Sequence, residues 1–260
     1  MLPGGKSGLA RRVLLVVTAL GQVVSPLVVA AVGGGEFTTA NRAGEPPIVP
    51  AGYAFSIWGL VEVLCLAYAV WALATRTSGQ QLRDRLARPL SLVFAGFTAW
   101  LIAAELEPLW TTVVIFAVML AGLLGALFIA LDHRAEIARW ARAPRLLLWS
   151  MLGVYTGWSS VAIWVNLTTA LVGSGAPVDG PAGLAGQIAI LAGATATAVA
   201  LLRRTSGLLP YGLAVAWALI AVVVGTAEAR QPVLSAIAAV ALLLTAVATA
   251  RFRRRSPLPV

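Results

Sequence analysis

Charge is scarce in this chain. Only 11% of its 260 residues are Asp, Glu, Lys or Arg, 60% are apolar, and the mean hydropathy is +0.89. Soluble domains carry about 25% charged residues, and a soluble fold of this size needs far more polar surface to cover its core. The shortage therefore excludes an ordinary soluble domain and points to a polytopic membrane protein. Sulfur and imidazole are scarcer still. The one cysteine, Cys65, has no partner for an intramolecular disulfide, and a single histidine cannot build a Cys/His metal cage. The one lysine, Lys6, lies outside every apolar run, so no intramembrane amine exists to form a Schiff base. Nor do the apolar runs hold an Asp-rich pair for Mg²⁺ and diphosphate, a His-rich cluster, or a Ser/His/acid set.

What is abundant is length of apolar run. A helix needs about 20 apolar residues to cross the bilayer core, and eight segments meet or approach that length: 13–33, 54–74, 89–104, 108–131, 146–172, 184–202, 208–225 and 232–250. Pro26 removes a backbone donor in the middle of the first and is expected to kink it. The third is short and ends at Glu105, so it is expected to tilt little or to be partly shielded by its neighbours.

The net charge of +9 would suit a nucleic-acid binder, but its distribution argues against one. If the gaps alternate between two sides, starting inside, seventeen of the nineteen basic residues fall inside, and only Arg42 and Arg230 fall outside. That is the charge bias that sets membrane topology. It predicts eight spans in the cell membrane with both termini cytoplasmic, and no nucleic-acid partner. A basic start, an apolar middle and the small residues Ala30, Ala31 and Gly33 also fit a signal peptide; the long apolar run favours a retained helix.

Most connections are short. The exceptions are 34–52 and 173–183, both rich in Gly and Pro and both on the outside in this scheme. The first has the length of a lid or binding loop. The second separates a five-helix bundle, 1–172, from three further helices and a basic tail, 184–260. Little polar content in that last part suggests chemistry.

Polar and aromatic residues inside the spans mark the candidate site. Residues 53–64 read YAFSIWGLVEVL. Glu62, the only acidic residue well inside a span, lies four after Trp58 and so shares its helical face. A carboxylate there costs roughly 2.5–3.5 kcal/mol on insertion scales. The fifth span reads YTGWSSVAIWVNLTTA, with Trp158, Ala162 and Asn166 at i, i+4 and i+8. At about 1.5 Å per residue, Glu62 and Asn166 lie at similar depths, roughly 12 and 9 Å below the outer surface, with Trp100 and Trp110 near the same level. Plainer readings stand beside these. Trp71, Trp110 and Trp140 suit interfacial anchoring. Gly153 and Gly157 suit close helix approach, and Cys65 suits packing as a small hydrophobe. Asn166 reads equally as interhelical glue or as a ligand contact. Its Asn-Leu-Thr sequon lies in an apolar run, where glycosylation is not expected.

At these residues the chain resembles the tryptophan-rich sensory protein family, the TspO/MBR group that includes the mitochondrial translocator protein. Tyr155, Trp158, Ala162 and Asn166 match the family's fifth-helix pattern P-Y-x-x-W-x-x-x-A-x-x-x-N, with Val154 where the proline often stands. Pro50 and the stretch to Trp58 resemble its P-x-x-x-F-x-x-x-W motif, with Phe55 one position displaced, and Trp100 resembles its third-helix tryptophan. The likeness covers about 11–172 and is nearest to long bacterial members, which carry PAGYAFSIWG almost as written and add C-terminal helices. Glu62 stands where the family has Tyr, and Phe97 where it has Asn; both positions border the family's pocket.

The resemblance implies an all-α integral membrane protein in which a five-helix bundle, capped by the first loop, binds a tetrapyrrole (haem or porphyrin) or another flat hydrophobic molecule. No cofactor is required. The implied ligand-binding residues are Phe55, Trp58, Glu62, Trp100, Tyr155, Trp158, Ala162 and Asn166, with the tryptophans stacking on the ligand and Tyr155, Asn166 and Glu62 supplying polar contacts. Partners are then the lipid bilayer and the small ligand, with a homodimer left open. A sensor or carrier is the leading reading. The alternatives are a proton-coupled secondary transporter using Glu62, against which stands the lack of inverted halves, and an intramembrane enzyme on a lipid or pigment, with Glu62 as general acid.

Overall fold

The computed structural model describes residues 4–32, 45–74, 79–106 and 109–255. The first part of the long loop, 33–44, with Arg42, lies outside the described residues, as do Arg76 and Glu107. Among the described residues the chain is helical, with α1 (Gly4–Val32), a short 3₁₀ turn (Gly52–Ser56), α2 (Ile57–Ala74), α3 (Gln80–Glu105), α4 (Leu109–Asp132), the single-turn α5 (Arg134–Ile137), α6 (Arg142–Gly173), α7 (Gly180–Arg204), α8 (Leu209–Glu228) and α9 (Pro232–Arg255). Eight of these helices are long and apolar enough to cross a membrane. The chain is a multi-pass, all-α membrane protein.

Exposed apolar side chains give the lipid contact. Leu14, Val17, Leu27 and Val28 on α1, Val114 and Val118 on α4, and Val240, Leu243 and Val247 on α9 all face outward. With lipid on the outside, helix association rests on close packing and hydrogen bonds rather than on hiding apolar surface from water.

Five helices close a ring: α1 packs on α2 and α3, α3 on α4, α4 on α6, and α6 back on α2. The remaining three are laid against it, with α7 and α8 on α6, and α9 on α8 and α7. Glycines set the closest of these seams. A methyl group at Gly157 would sit 2.7 Å from the Tyr211 carbonyl oxygen, and one at Gly153 would sit 2.9 Å from the Tyr211 backbone nitrogen. The small-xxx-small pair thus admits α8 to α6. Ser160 Oγ and the Tyr211 hydroxyl, 2.9 Å apart, tie the same seam.

Two features differ from the sequence expectation, the third span and Trp140. The third span is not short: α3 begins at Gln80 and runs through Pro89. Hydropathy drops at Arg83 and Asp84, yet the helix continues because these charges are held by protein. Arg83 is fully buried, donates to the Ala72 carbonyl at 2.8 Å and lies 5.2 Å from the Trp71 ring centre. Arg12 pairs with Asp84 at 3.0 Å. Trp71 and Trp140, 5.2 Å apart, close the cluster. Trp140 is therefore a packed residue, 6% exposed, and not an interfacial anchor. Trp110 stays half exposed and donates to Ser174 Oγ at 3.0 Å. Pro26 lies inside α1, which is continuous from Gly4 to Val32.

Candidate functional site

The chain reaches the site through a proline-rich approach to α2. Val49 N–H bonds the Pro46 carbonyl at 2.9 Å, and Ala54 N–H bonds the Ala51 carbonyl at 2.9 Å, so the segment turns twice before Ile57 starts the helix. This sets Pro50 and Phe55 over the mouth of the five-helix ring. Beneath them lies a small cavity walled by Phe55, Trp58, Trp100, Phe116, Trp158 and Ala162, with Asn166 at its polar edge.

Trp58 is the hub. Its ring centre lies 4.7 Å from Phe97, 5.7 Å from Trp100, 6.0 Å from Trp158, 5.8 Å from Tyr155 and 6.4 Å from Phe116. Phe55 meets Trp158 edge-on at 5.7 Å, and Trp100 meets Phe116 at 5.2 Å. Most of these contacts are tilted or T-shaped, the arrangements that aromatic quadrupoles favour. The free space is about 20 Å³, room for roughly one water. The rings close on one another and leave no room for a larger molecule.

Polar groups in the wall divide into spent and unspent. Trp100 Nε1–H donates to Asn166 Oδ1 at 3.0 Å, and Asn166 Nδ2 donates to the Ala162 carbonyl at 2.9 Å. The amide thus acts as a bridge between α3 and α6 while also lining the cavity. The indole nitrogens of Trp58 and Trp158 are buried and have no acceptor among the described residues. Such donors are costly to leave unpaired.

Of the eight residues singled out from sequence, Phe55, Trp58, Trp100, Trp158, Ala162 and Asn166 come together around this cavity. Tyr155 lies below it, fully buried, with its ring stacked 6.4 Å from Phe94 and its hydroxyl without a hydrogen-bond partner among the described residues. Glu62 does not line it. Four residues on from Trp58 is about 6 Å further along the helix, and the cavity is only one aromatic layer deep. Glu62 is partly buried beneath that layer, with no hydrogen bond or ion pair among the described residues. Phe97, the other departure from the family pattern, fills its place as a buried ring against Trp58.

Two contributors escaped the sequence reading. Phe116 is one phenylalanine in a uniformly apolar span and carries no signal there. Trp217, in the last three helices, donates to the Ala54 carbonyl at 3.0 Å and meets Tyr53 edge-on at 5.4 Å. Ala51 N–H bonds the Ala221 carbonyl at 3.0 Å. α8 therefore holds the approach segment over the ring.

A family model described as TSPO-like protein matches residues 12–251, nearly the whole described chain. The chain belongs to the TSPO-like family. The match runs through the last three helices as well as the ring, in line with the bracing contact from α8. No curated protein and no solved structure matches the chain. For this TSPO-like protein the aromatic layer under the 45–56 segment is the candidate site.

Proposed function

We propose that the protein binds a flat, hydrophobic, tetrapyrrole-like ligand between its stacked tryptophans, as a membrane sensor or carrier. The observation that carries the reading is the pair of buried indole N–H groups of Trp58 and Trp158, set in an aromatic wall without an acceptor among the described residues. A planar ring system replaces the ring-on-ring contacts by stacking, and a heteroatom or carboxylate on it receives the orphaned donors. Opening falls to the approach segment, because Pro50 and Phe55 are the wall residues that precede α2. By the positive-inside rule, the arginine-rich end lies in the cytoplasm and the cavity in the outer half of the cell membrane.

The test is quenching of tryptophan fluorescence in the purified protein by protoporphyrin. Saturable quenching that weakens tenfold or more in Trp158→Ala supports the reading. Unchanged affinity in that variant sinks it.

A further inference from the structure

We propose a second binding site, for an anionic phospholipid, in the groove between α8 and α9. The groove holds about 600 Å³, within the range of roughly 300–1,000 Å³ typical of ligand sites. Leu213 and Ala216 form one wall, Ala246 and Ala250 the other, and Arg253 and Arg254 stand at one end. Small residues open it: at Gly212 a methyl group would meet Thr249 Oγ1 at 2.5 Å, so the Thr249 side chain packs directly on the α8 backbone there, with the trough beside that contact. Its inner part is apolar and lipid-facing, with Leu213 60% exposed.

Charge selects the occupant. Arg203, Arg204, Arg251, Arg253, Arg254 and Arg255 end α7 and α9 together, and none has an ion-pair partner among the described residues. After Asp179 the chain has a single acidic residue, Glu228, at the opposite end of α8. Helix-end arginines alone serve topology. Here two of them also cap an apolar trough that runs from Leu209 to Ala216, about 10 Å along the helix axis. The chemistry that satisfies both parts is a lipid with its phosphate on Arg253 and Arg254 and an acyl chain along Leu213, Ala216 and Ala246. Basic pockets between spanning helices recognise anionic head groups in this way.

The experiment titrates full-length protein in neutral detergent with phosphatidylglycerol or phosphatidylcholine and reads retained lipid by native mass spectrometry. One phosphatidylglycerol per chain is expected, with phosphatidylcholine at least tenfold weaker. Arg253→Gln with Arg254→Gln should weaken phosphatidylglycerol tenfold or more, and Arg203→Gln with Arg204→Gln less than twofold. Ala216→Leu with Ala246→Leu keeps every charge, fills the trough and should weaken it equally. Equal losses from both arginine pairs would mean diffuse attraction and overturn the proposal. So would full competition by 10 mM inorganic phosphate, which would mean an anion site without a chain. Loss of dimer mass in the leucine variant with lipid retained would assign the groove to a second copy instead. The arginines are exposed, so their exchange leaves packing intact and decides the matter even if the leucine variant does not fold.

Discussion

Trp100 on α3 gives its indole N–H to the side-chain oxygen of Asn166 on α6, across 3.0 Å. The two residues are 66 apart in sequence and lie on helices that do not adjoin in the ring, since α4 stands between them. The bond therefore spans the mouth of the bundle, and it explains why an amide is placed in an apolar span: its other end is satisfied by the Ala162 carbonyl one turn back.

This bond predicts a coupled loss of stability. Asn166→Ala removes the acceptor of this bond, and Trp100→Phe removes its donor. Each should lower unfolding stability by about 0.5–1.5 kcal/mol beyond its packing change. In the double variant the hydrogen bond is lost once, so the combined loss should fall short of the sum by a similar amount. Thermal or denaturant unfolding in detergent measures the cycle; strict additivity would show that the two side chains do not cooperate.

The two indoles that lack an acceptor among the described residues predict a separation of stacking from hydrogen bonding. Trp58→Phe keeps an aromatic ring at the hub and removes only the N–H and part of the ring. If the ligand accepts that proton, affinity for porphyrin should fall about three- to tenfold, as for loss of one hydrogen bond of about 1 kcal/mol. Trp158→Ala removes the stacking surface too and should cost more than tenfold. Equal, small effects of the two exchanges would leave the N–H groups without a role in binding.

Much of this architecture is readable from residues alone. Runs of apolar residues and the side-to-side bias of arginines yield eight spans, because bilayer thickness and membrane charge act on each segment by itself. The face shared by Trp158, Ala162 and Asn166 follows from helical periodicity. Tertiary placement does not. Arg83 reads as a loop charge until the Ala72 carbonyl and the Trp71 ring are seen to hold it inside the bundle. Trp140 reads as an anchor until the chain folds its ring onto Trp71. Asn166 is legible as a polar residue in a span, but only the position of Trp100 says what it bonds. Trp217 is illegible as part of the site because its link to Ala54 joins residues 163 apart in sequence.

Glu62 drew attention in the sequence as a carboxyl in a greasy helix, and its position predicts a small effect on binding. It sits beneath the aromatic layer rather than in the cavity wall. Glu62→Gln, nearly equal in volume, should leave porphyrin affinity within twofold. Proton-coupled uptake into vesicles that disappears in this variant would instead favour a transporter with Glu62 as its proton site.

The brace from α8 predicts control of binding from residues that do not touch the ligand. At Gly225 a side chain would meet the Val49 carbonyl oxygen at 3.0 Å and the Ala51 nitrogen at 3.3 Å, both backbone atoms of the approach segment. Gly225→Val should therefore push that segment away from α8 and strain the Ala51 to Ala221 hydrogen bond one turn earlier. Trp217→Phe should loosen the same segment by removing the side-chain donor that ties the Ala54 carbonyl to α8. In both variants Phe55 and Pro50 lose their fixed place over the ring, so porphyrin should dissociate several-fold faster while the five-helix core keeps its packing. Gly186→Val is the control: a side chain at this α7 position meets nothing within 4 Å and should change neither rate nor melting temperature. Stopped-flow quenching beside a melting curve separates the outcomes. A faster off-rate with the melting point lowered by no more than a few degrees assigns α8 a positioning role. An off-rate that moves only in step with global destabilisation would reduce the brace to ordinary packing.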